Sequence, residues 1–190
     1  MTVYDAIKER RTARLFNDNP VSYETIMKLI DGARLSPAAA NLQPLKYGII
    51  TDVELRKQMY PHVRYAGYIN DWNPCFEESP KAFIAVLCDP SIRHTDKSEC
   101  DSGIAMMAIS LLAHEEGLGS CIIGSIDRKD IKKILDIGDE LDLMYLVALG
   151  YHDTSCSSYD SDDNIKYHME EPGNFVVPKR KLDSVILFKK

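Results

Sequence analysis

The sequence predicts one domain in which helices enclose a central sheet, and three features carry that reading. A length of 190 residues with 45% apolar side chains is enough to bury a core in a single domain. The run Ala82-Phe83-Ile84-Ala85-Val86-Leu87-Cys88 is apolar at seven consecutive positions, where a strand half exposed to water would alternate. It therefore reads as a strand covered on both faces, central in its sheet. The helices that cover it are marked by apolar residues at helical spacing: Ile26, Leu29, Ile30 and Ala33 in one segment, Ile104, Ala108, Leu111 and Leu112 in another.

In chain order, Val3 and Ile7 suit a short first helix whose end carries Arg10 and Arg11. Asn17-Asp18-Asn19-Pro20 is a turn, and Ser22 is placed to cap the helix through Ala33, which Ser36-Pro37 stops. A small-residue loop from Ala38 to Pro44 leads into a strand over Tyr47 to Thr51, and Asp52 caps a helix carrying Leu55 and Met59. From 61 to 81, Pro61, Asn70, Trp72, Pro74 and Pro80 break every periodicity, so this stretch is an irregular excursion with a single helical turn. A helix from about Asp101 to Glu116 ends at Gly117 and Gly119, and the apolar segment Ser120 to Gly124 follows. Asp127 and Asp130 form a capping arrangement before a helix with Ile131, Ile134 and Leu135. Met144 to Leu149 is a further central strand, 153 to 174 is an exposed loop by composition, and Val185 to Phe188 is strand-like. With no internal repeat and no dividing linker, 1–190 is expected to form a single domain, with 61–77 as a lid or substrate-channel excursion.

Composition narrows the function. The chain holds 23 Lys and Arg against 29 Asp and Glu, net −6, which argues against nucleic-acid binding because that needs a continuous basic face. No stretch approaches a membrane span, and Met1 to Arg14 lacks the apolar core of a signal peptide, so a cytoplasmic location is expected. Cys75, Cys88, Cys100, Cys121 and Cys156 form no C-x-x-C pair and read as reduced thiols. The histidines His62, His94, His114, His152 and His168 have no ligand spacing, so no metal site is expected.

Against this acidic background stands the knot Arg10-Arg11-Thr12-Ala13-Arg14. Three guanidiniums within five residues repel one another unless an anion, carboxylates or water offset them. A guanidinium fork matches phosphate oxygens and Thr12 adds a hydroxyl, so a bound phosphate is one reading and a solvated helix end is the other. A second cluster, Lys179-Arg180-Lys181, lies near the other end of the chain, and chain ends often lie close in compact domains. Asn41 and Gln43, in the loop after Ser36-Pro37-Ala38-Ala39-Ala40, offer the paired donors and acceptors that suit a planar heterocycle. An ordinary turn with solvated amides is the alternative.

Five segments in order, R-R-T-A-R at 10–14, S-P-A-A-A-N-L-Q-P at 36–44, E-S-P-K-A-F-I-A-V at 78–86, G-L-G-S-C-I-I-G at 117–124 and P-K-R at 178–180, resemble the FMN-dependent nitroreductase family. Each motif alone is short, but their joint register spans nearly the whole chain and favours the phosphate reading of the knot.

The resemblance implies an α+β fold, a mainly antiparallel sheet wrapped by helices, in an intertwined homodimer with FMN at the subunit interface. Arg10 and Thr12, with Lys179 and Arg180, would address the FMN phosphate; Arg11 would be a neighbouring contact. Arg14 would sit near the pyrimidine edge of the flavin, where a cation stabilises the anionic reduced ring. Asn41 and the backbone of Pro37, Ala38 and Ala39 would come from the partner subunit, and Gln43 is a further cofactor-binding candidate. Ile122, Ile123 and Gly124 would lie along the isoalloxazine. Asn70 and Asn73 are further candidate ring contacts, and Tyr65, Tyr68, Trp72 and Phe76 either line the substrate channel or belong to the core. Electrons would pass from NAD(P)H through FMN to a small-molecule acceptor such as a nitroaromatic or quinone by ping-pong exchange, with no side-chain nucleophile or base. Relatives that dehalogenate or oxidise heterocycles, and flavin binding without turnover, are the alternatives. Two departures stand out: Ala38 replaces a frequent serine, and Leu45 a frequent aromatic.

Overall fold

The computed structural model describes residues 1–69 and 72–190, so Asn70 lies outside the described residues. At its centre, β1 (Leu45–Ile50), β2 (Ala82–Cys88), β3 (Gly119–Ile123) and β4 (Asp142–Gly150) form a sheet in the order β1-β2-β4-β3, paired antiparallel throughout. Every β2 residue is buried. Successive side chains of a strand point to opposite faces, so β2 feeds two cores. Phe83, Ala85 and Leu87 join Met59, Leu146, Ala148 and Phe175 on one side; Ala82, Ile84 and Val86 join Ile26, Leu29, Met106 and Ile109 on the other. The covered central strand expected from the apolar run is thus present, and the architecture is α+β with a mainly antiparallel sheet.

The helices are α1 (Val3–Glu9), α2 (Tyr23–Arg34), α3 (Val53–Met59), α4 (Glu99–Glu115), α5 (Arg128–Ile134) and α6 (Leu182–Val185). Side-chain oxygens start four of them. Ser22 accepts from the Thr25 N–H at 3.0 Å, Asp52 from Leu55 at 2.8 Å, Asp127 from Asp130 at 3.2 Å, and Thr2 forms a reciprocal box with Asp5. Among the described residues, no helix is long and apolar enough to cross a membrane.

Three expectations are corrected. Of the predicted inner face of α4, Leu112 packs against the core but Ile104, Ala108 and Leu111 do not: Ser102, Ala105, Met106, Ile109, Ser110 and Ala113 are the buried residues, and Ile104 is 38% exposed. This helix is apolar nearly all round, so its periodicity could not choose a side. Residues 153–174, read as exposed loop, contribute β5 (Ser157–Asp160) and β6 (His168–Glu171), which flank β7 (Asn174–Lys179) in a second sheet, β5 parallel and β6 antiparallel to it. Their residues are almost all polar and exposed, which hid the strands. The β6–β7 turn is made by Pro172-Gly173, with Gly173 at φ 80°. Finally, Val185 to Phe188 is not a strand: α6 ends at Val185 and the chain runs on irregularly, leaving Leu187 91% exposed.

Among its described residues, the 61–77 excursion is irregular beyond the single turn at Tyr60–His62, as expected. Its Tyr65 N–H donates to Asn73 Oδ1 at 3.1 Å and Asn73 Nδ2 donates to the Val63 carbonyl at 3.4 Å, which engages the Asn73 amide within the loop. Tyr65 is buried in the core, Trp72 packs edge-on against Phe175, Phe76 against Tyr60, and Tyr68 against Tyr167.

Candidate functional site

The arginine knot docks against the outer edge of the central sheet. Thr12 forms a parallel bridge with Ser120 on β3, and the Ala13 N–H donates to the Ser120 carbonyl at 3.1 Å. This close approach needs Gly119, because a Cβ there would stand 2.5 Å from the Cβ of Ala13 and 2.5 Å from the His152 ring. Arg11 donates to the carbonyls of Lys8 and Arg10 and, at 3.0 Å, to Ser158 Oγ on β5, so its fork tethers the knot to the second sheet. Arg10 and Arg14 each bury an Nε without a hydrogen-bond partner among the described residues. Burial, then the adjacent Arg11 charge, holds the Arg10 guanidinium below its ordinary pKa. Arg14 rests against two rings, its guanidinium carbon 4.4 Å from the Phe175 centroid and 4.9 Å from that of Tyr167.

The second basic cluster belongs to the same small sheet. Ser158, which receives Arg11, pairs with Val177 of β7, two positions before Lys179, and Cys156 Sγ lies 3.7 Å from the Thr12 carbonyl. Lys179 and Arg180 end that strand exposed. The structure thus tethers the knot, on the edge of the central sheet, to the small sheet that Lys179 ends. Among the described residues, none of Arg10, Arg11, Arg14, Lys179 and Arg180 has a carboxylate within 4.0 Å. In a chain of net charge −6 that arrangement leaves the cations available to an external anion.

The 37–43 loop is elsewhere. It enters β1, the opposite edge of the sheet from β3, and does so at the opposite end of the strands: Leu45 is level with Cys88, and Ser120 with Leu149 and Ala82. Three strand spacings across and six residues along separate these corners by roughly 20 to 25 Å. Ala40, Asn41 and Gln43 all have positive φ (50°, 54° and 53°), a conformation that disfavours side chains and is held by surrounding structure. Asp101, at the start of α4 and 3% exposed, supplies part of that hold by accepting the Ala39 N–H at 3.0 Å. Pro37, Ala38 and Gln43 line a pocket of about 190 Å³ with Asp101 and Tyr47.

The third set is at the far end of β3. Ile122 is 43% exposed, Ile123 is buried, and Gly124 follows on the surface beside a groove lined by His62, Arg64, Ser125 and Arg128. A Cβ on Gly124 would stand 3.2 Å from the Tyr145 ring, whose hydroxyl donates to Glu99 at 2.8 Å. Behind this strand, Cys121 is buried with its thiol pushed up to about 11 by burial, against the opposing charges of Arg14 and Arg10. His62, Asp127 and Asp130 bring ligand atoms within 4.8 Å of one another, though Asp127 Oδ1 already caps α5.

Sequence reading missed Asp101, Ser158, Tyr167 and Phe175. The aromatics were visible as apolar residues in a polar stretch; Asp101 and Ser158 carry no local signal, since only the fold sets them against the loop and the knot.

Comparison with known proteins identifies the family and the fold. The model of the nitroreductase family matches residues 7–71 and 72–151. A protein of Methanothermobacter thermautotrophicus, provisionally described as an NADH dehydrogenase/NAD(P)H nitroreductase, is 28% identical over 176 residues, covering 90% of this chain and 88% of its own. An iodotyrosine deiodinase of Thermotoga neapolitana is 25% identical over 183 residues, covering 86% of this chain and 95% of its own. Among solved structures, a protein of Desulfovibrio desulfuricans, provisionally described as a nitroreductase and crystallised in complex with FMN, superposes with a TM-score of 0.74 over 100% of this chain and 98% of its own, at 21% identity.

Proposed function

The chain belongs to the nitroreductase family, and we propose that it is an FMN-dependent oxidoreductase passing electrons from NAD(P)H to a small electrophilic acceptor such as a nitroaromatic or quinone. The observation that carries the reading is the set of cations without carboxylate partners among the described residues, the knot on the central sheet's edge being tethered through Arg11 to the small sheet that Lys179 ends, with Arg10 and Arg14 each burying an unpartnered Nε. These residues fit a phosphate-bearing flavin. Arg10 and Thr12, with Lys179 and Arg180, hold the phosphate; partial burial of Arg10 weakens competition from water. Arg11 braces the knot through its backbone and Ser158 bonds, and Arg14 addresses the pyrimidine edge of the ring. Ile122, Ile123 and Gly124 present backbone groups along the ring face. Bound FMN supplies the two-electron chemistry, with hydride entering from NAD(P)H and electrons leaving to the acceptor in separate half-reactions. The side chains bind, orient and shield, and none is required as nucleophile or base.

A homodimer completes the site. Pro37, Ala38, Ala39, Asn41 and Gln43 lie too far from the knot to share one flavin with it inside a single chain, so a second copy supplies them. Two features support an intertwined assembly: the apolar face of α4 carrying Ile104, Met107, Ala108 and Leu111 borders an open cleft, and the tail past Val185 leaves Ile186, Leu187 and Phe188 exposed. The cytoplasm, which supplies reduced nicotinamides, is the proposed setting.

The test is a visible spectrum of the purified chain, then anaerobic addition of NADH or NADPH. Yellow absorbance that bleaches on addition is expected. A colourless protein that takes up no added FMN rejects the flavin reading, and flavin that stays oxidised makes the protein a carrier or sensor. The deiodinase relative favours one second reading, reductive dehalogenation. Halide release from iodinated phenols, with nitroaromatics left untouched, would select it.

A further inference from the structure

The flavin reading gives Arg14 a role but does not account for how its side chain is held. Tyr167 and Phe175 meet edge-on, centroids 6.0 Å apart at 71°, and the Arg14 guanidinium rests against both. Phe175 is fully buried and braced by Trp72 at 5.4 Å. Tyr167, just before β6, is braced from the excursion: the Tyr68 ring lies 5.0 Å away, and the Tyr68 N–H donates to the Tyr167 hydroxyl at 3.2 Å. Lys166 Nζ stands 5.9 Å over the outer side of Tyr68. A continuous stack of cations and rings therefore runs from the 61–69 segment to Arg14.

The chemistry of this clamp differs from that of a salt bridge. A carboxylate would neutralise the guanidinium and occupy its forked donors. Ring faces attract the cation through their quadrupole and leave both charge and terminal N–H groups available. Arg14 makes no hydrogen bond or ion pair among the described residues, so the two rings are what fix it.

We propose that Tyr167 is a positioning residue that aims Arg14 at the flavin and ties that aim to the excursion through Tyr68. The proposal rests on the FMN reading. A ring that holds a cation beside the reduced flavin raises the reduction potential of that flavin, because the reduced form is anionic, and Tyr167 acts on it only through Arg14.

The test uses the full chain with Tyr167→Leu, Tyr167→Phe, Arg14→Ala and the Tyr167→Leu/Arg14→Ala double variant. FMN affinity is read by fluorescence quenching, the midpoint potential of bound FMN by reductive titration, and folding by thermal melting. In the flavin-free chain, the Arg14 Nε–H resonance reports ring shielding directly. Tyr167→Leu is expected to weaken FMN binding about 2- to 30-fold, the range a lost cation–π contact implies, to lower the potential in the same direction as Arg14→Ala, and to reduce the shielding to what Phe175 supplies. Tyr167→Phe keeps the ring and should stay near wild type. The double variant should match Arg14→Ala alone, since Tyr167 has nothing left to position. If Tyr167→Leu leaves the potential at the wild-type value while Arg14→Ala lowers it, the positioning role is overturned and the flavin site stands. A lower melting temperature with unchanged potential and shielding reduces Tyr167 to a packing residue. Failure of the wild-type chain to take up FMN removes the flavin reading and this proposal together.

Discussion

At the scale of single residues, the chain is governed by where charge can be neutralised. Arg10 is half-buried with an unpartnered Nε, a costly placement unless a ligand anion compensates it. Arg10→Ala or Arg180→Ala should therefore lose FMN while the fold survives. A charge-assisted contact contributes about 1.5 to 3 kcal/mol, so affinity should fall roughly tenfold or more in a flavin titration; unchanged affinity in both variants would remove the phosphate assignment. Cys121 is the reverse case, a group kept neutral by burial. Its folded pKa of about 11 exceeds its ordinary 9.0, so the folded state retains the proton longer than the unfolded chain. The stability it contributes is full below pH 9 and is lost as pH rises towards 11, by on the order of 2 kcal/mol. Denaturant melts at pH 8 and pH 10.5 should show wild type losing more stability than Cys121→Ala, and parallel losses would mean the thiol is not sealed.

At the scale of elements, local signals were read well where a short-range interaction decides the outcome. Ser22, Asp52 and Asp127 cap their helices because the carboxylate or hydroxyl sits three residues from the N–H it accepts, a relation written in spacing alone. β2 was legible because an uninterrupted apolar run has few stable places other than between two layers. β5 and β6 were not, since polar residues on both faces leave no alternation to read, and their pairing with β7 is decided by the Pro172-Gly173 turn and by Phe175 reaching the main core. The docked edge formed by Thr12 and Ala13 was equally hidden, because what admits it is the missing Cβ of Gly119, more than a hundred residues away.

At the scale of the whole molecule, a single chain holds the arginine knot and the 37–43 loop at diagonally opposite corners of one sheet, together with a helix that is apolar on its outer side. Both features have one explanation in a second copy. The protein is expected to sediment at twice its 21.5 kDa mass. The double substitution Ile104→Glu and Leu111→Glu, placed on the open face of α4, should yield folded monomers that lose flavin, measured by sedimentation and by bound absorbance. Dimers that persist with flavin intact would place the interface elsewhere. The same face explains why periodicity chose the wrong side of α4: a helix apolar nearly all round carries no amphipathic mark.

By itself, the sequence determined the capped helices and the covered central strand, since each is a matter of spacing along the chain, and its five motifs carried the resemblance that implied the α+β class and a flavin site. Only the tertiary structure decided that Arg11 ties the 10–14 knot to the small sheet that Lys179 ends, that the 37–43 loop lies at the far corner of the central sheet from the knot, and that Arg14 is gripped by two rings. These are long-range facts, fixed by which strands pair and which side chains the resulting core leaves room for, and no local pattern encodes them.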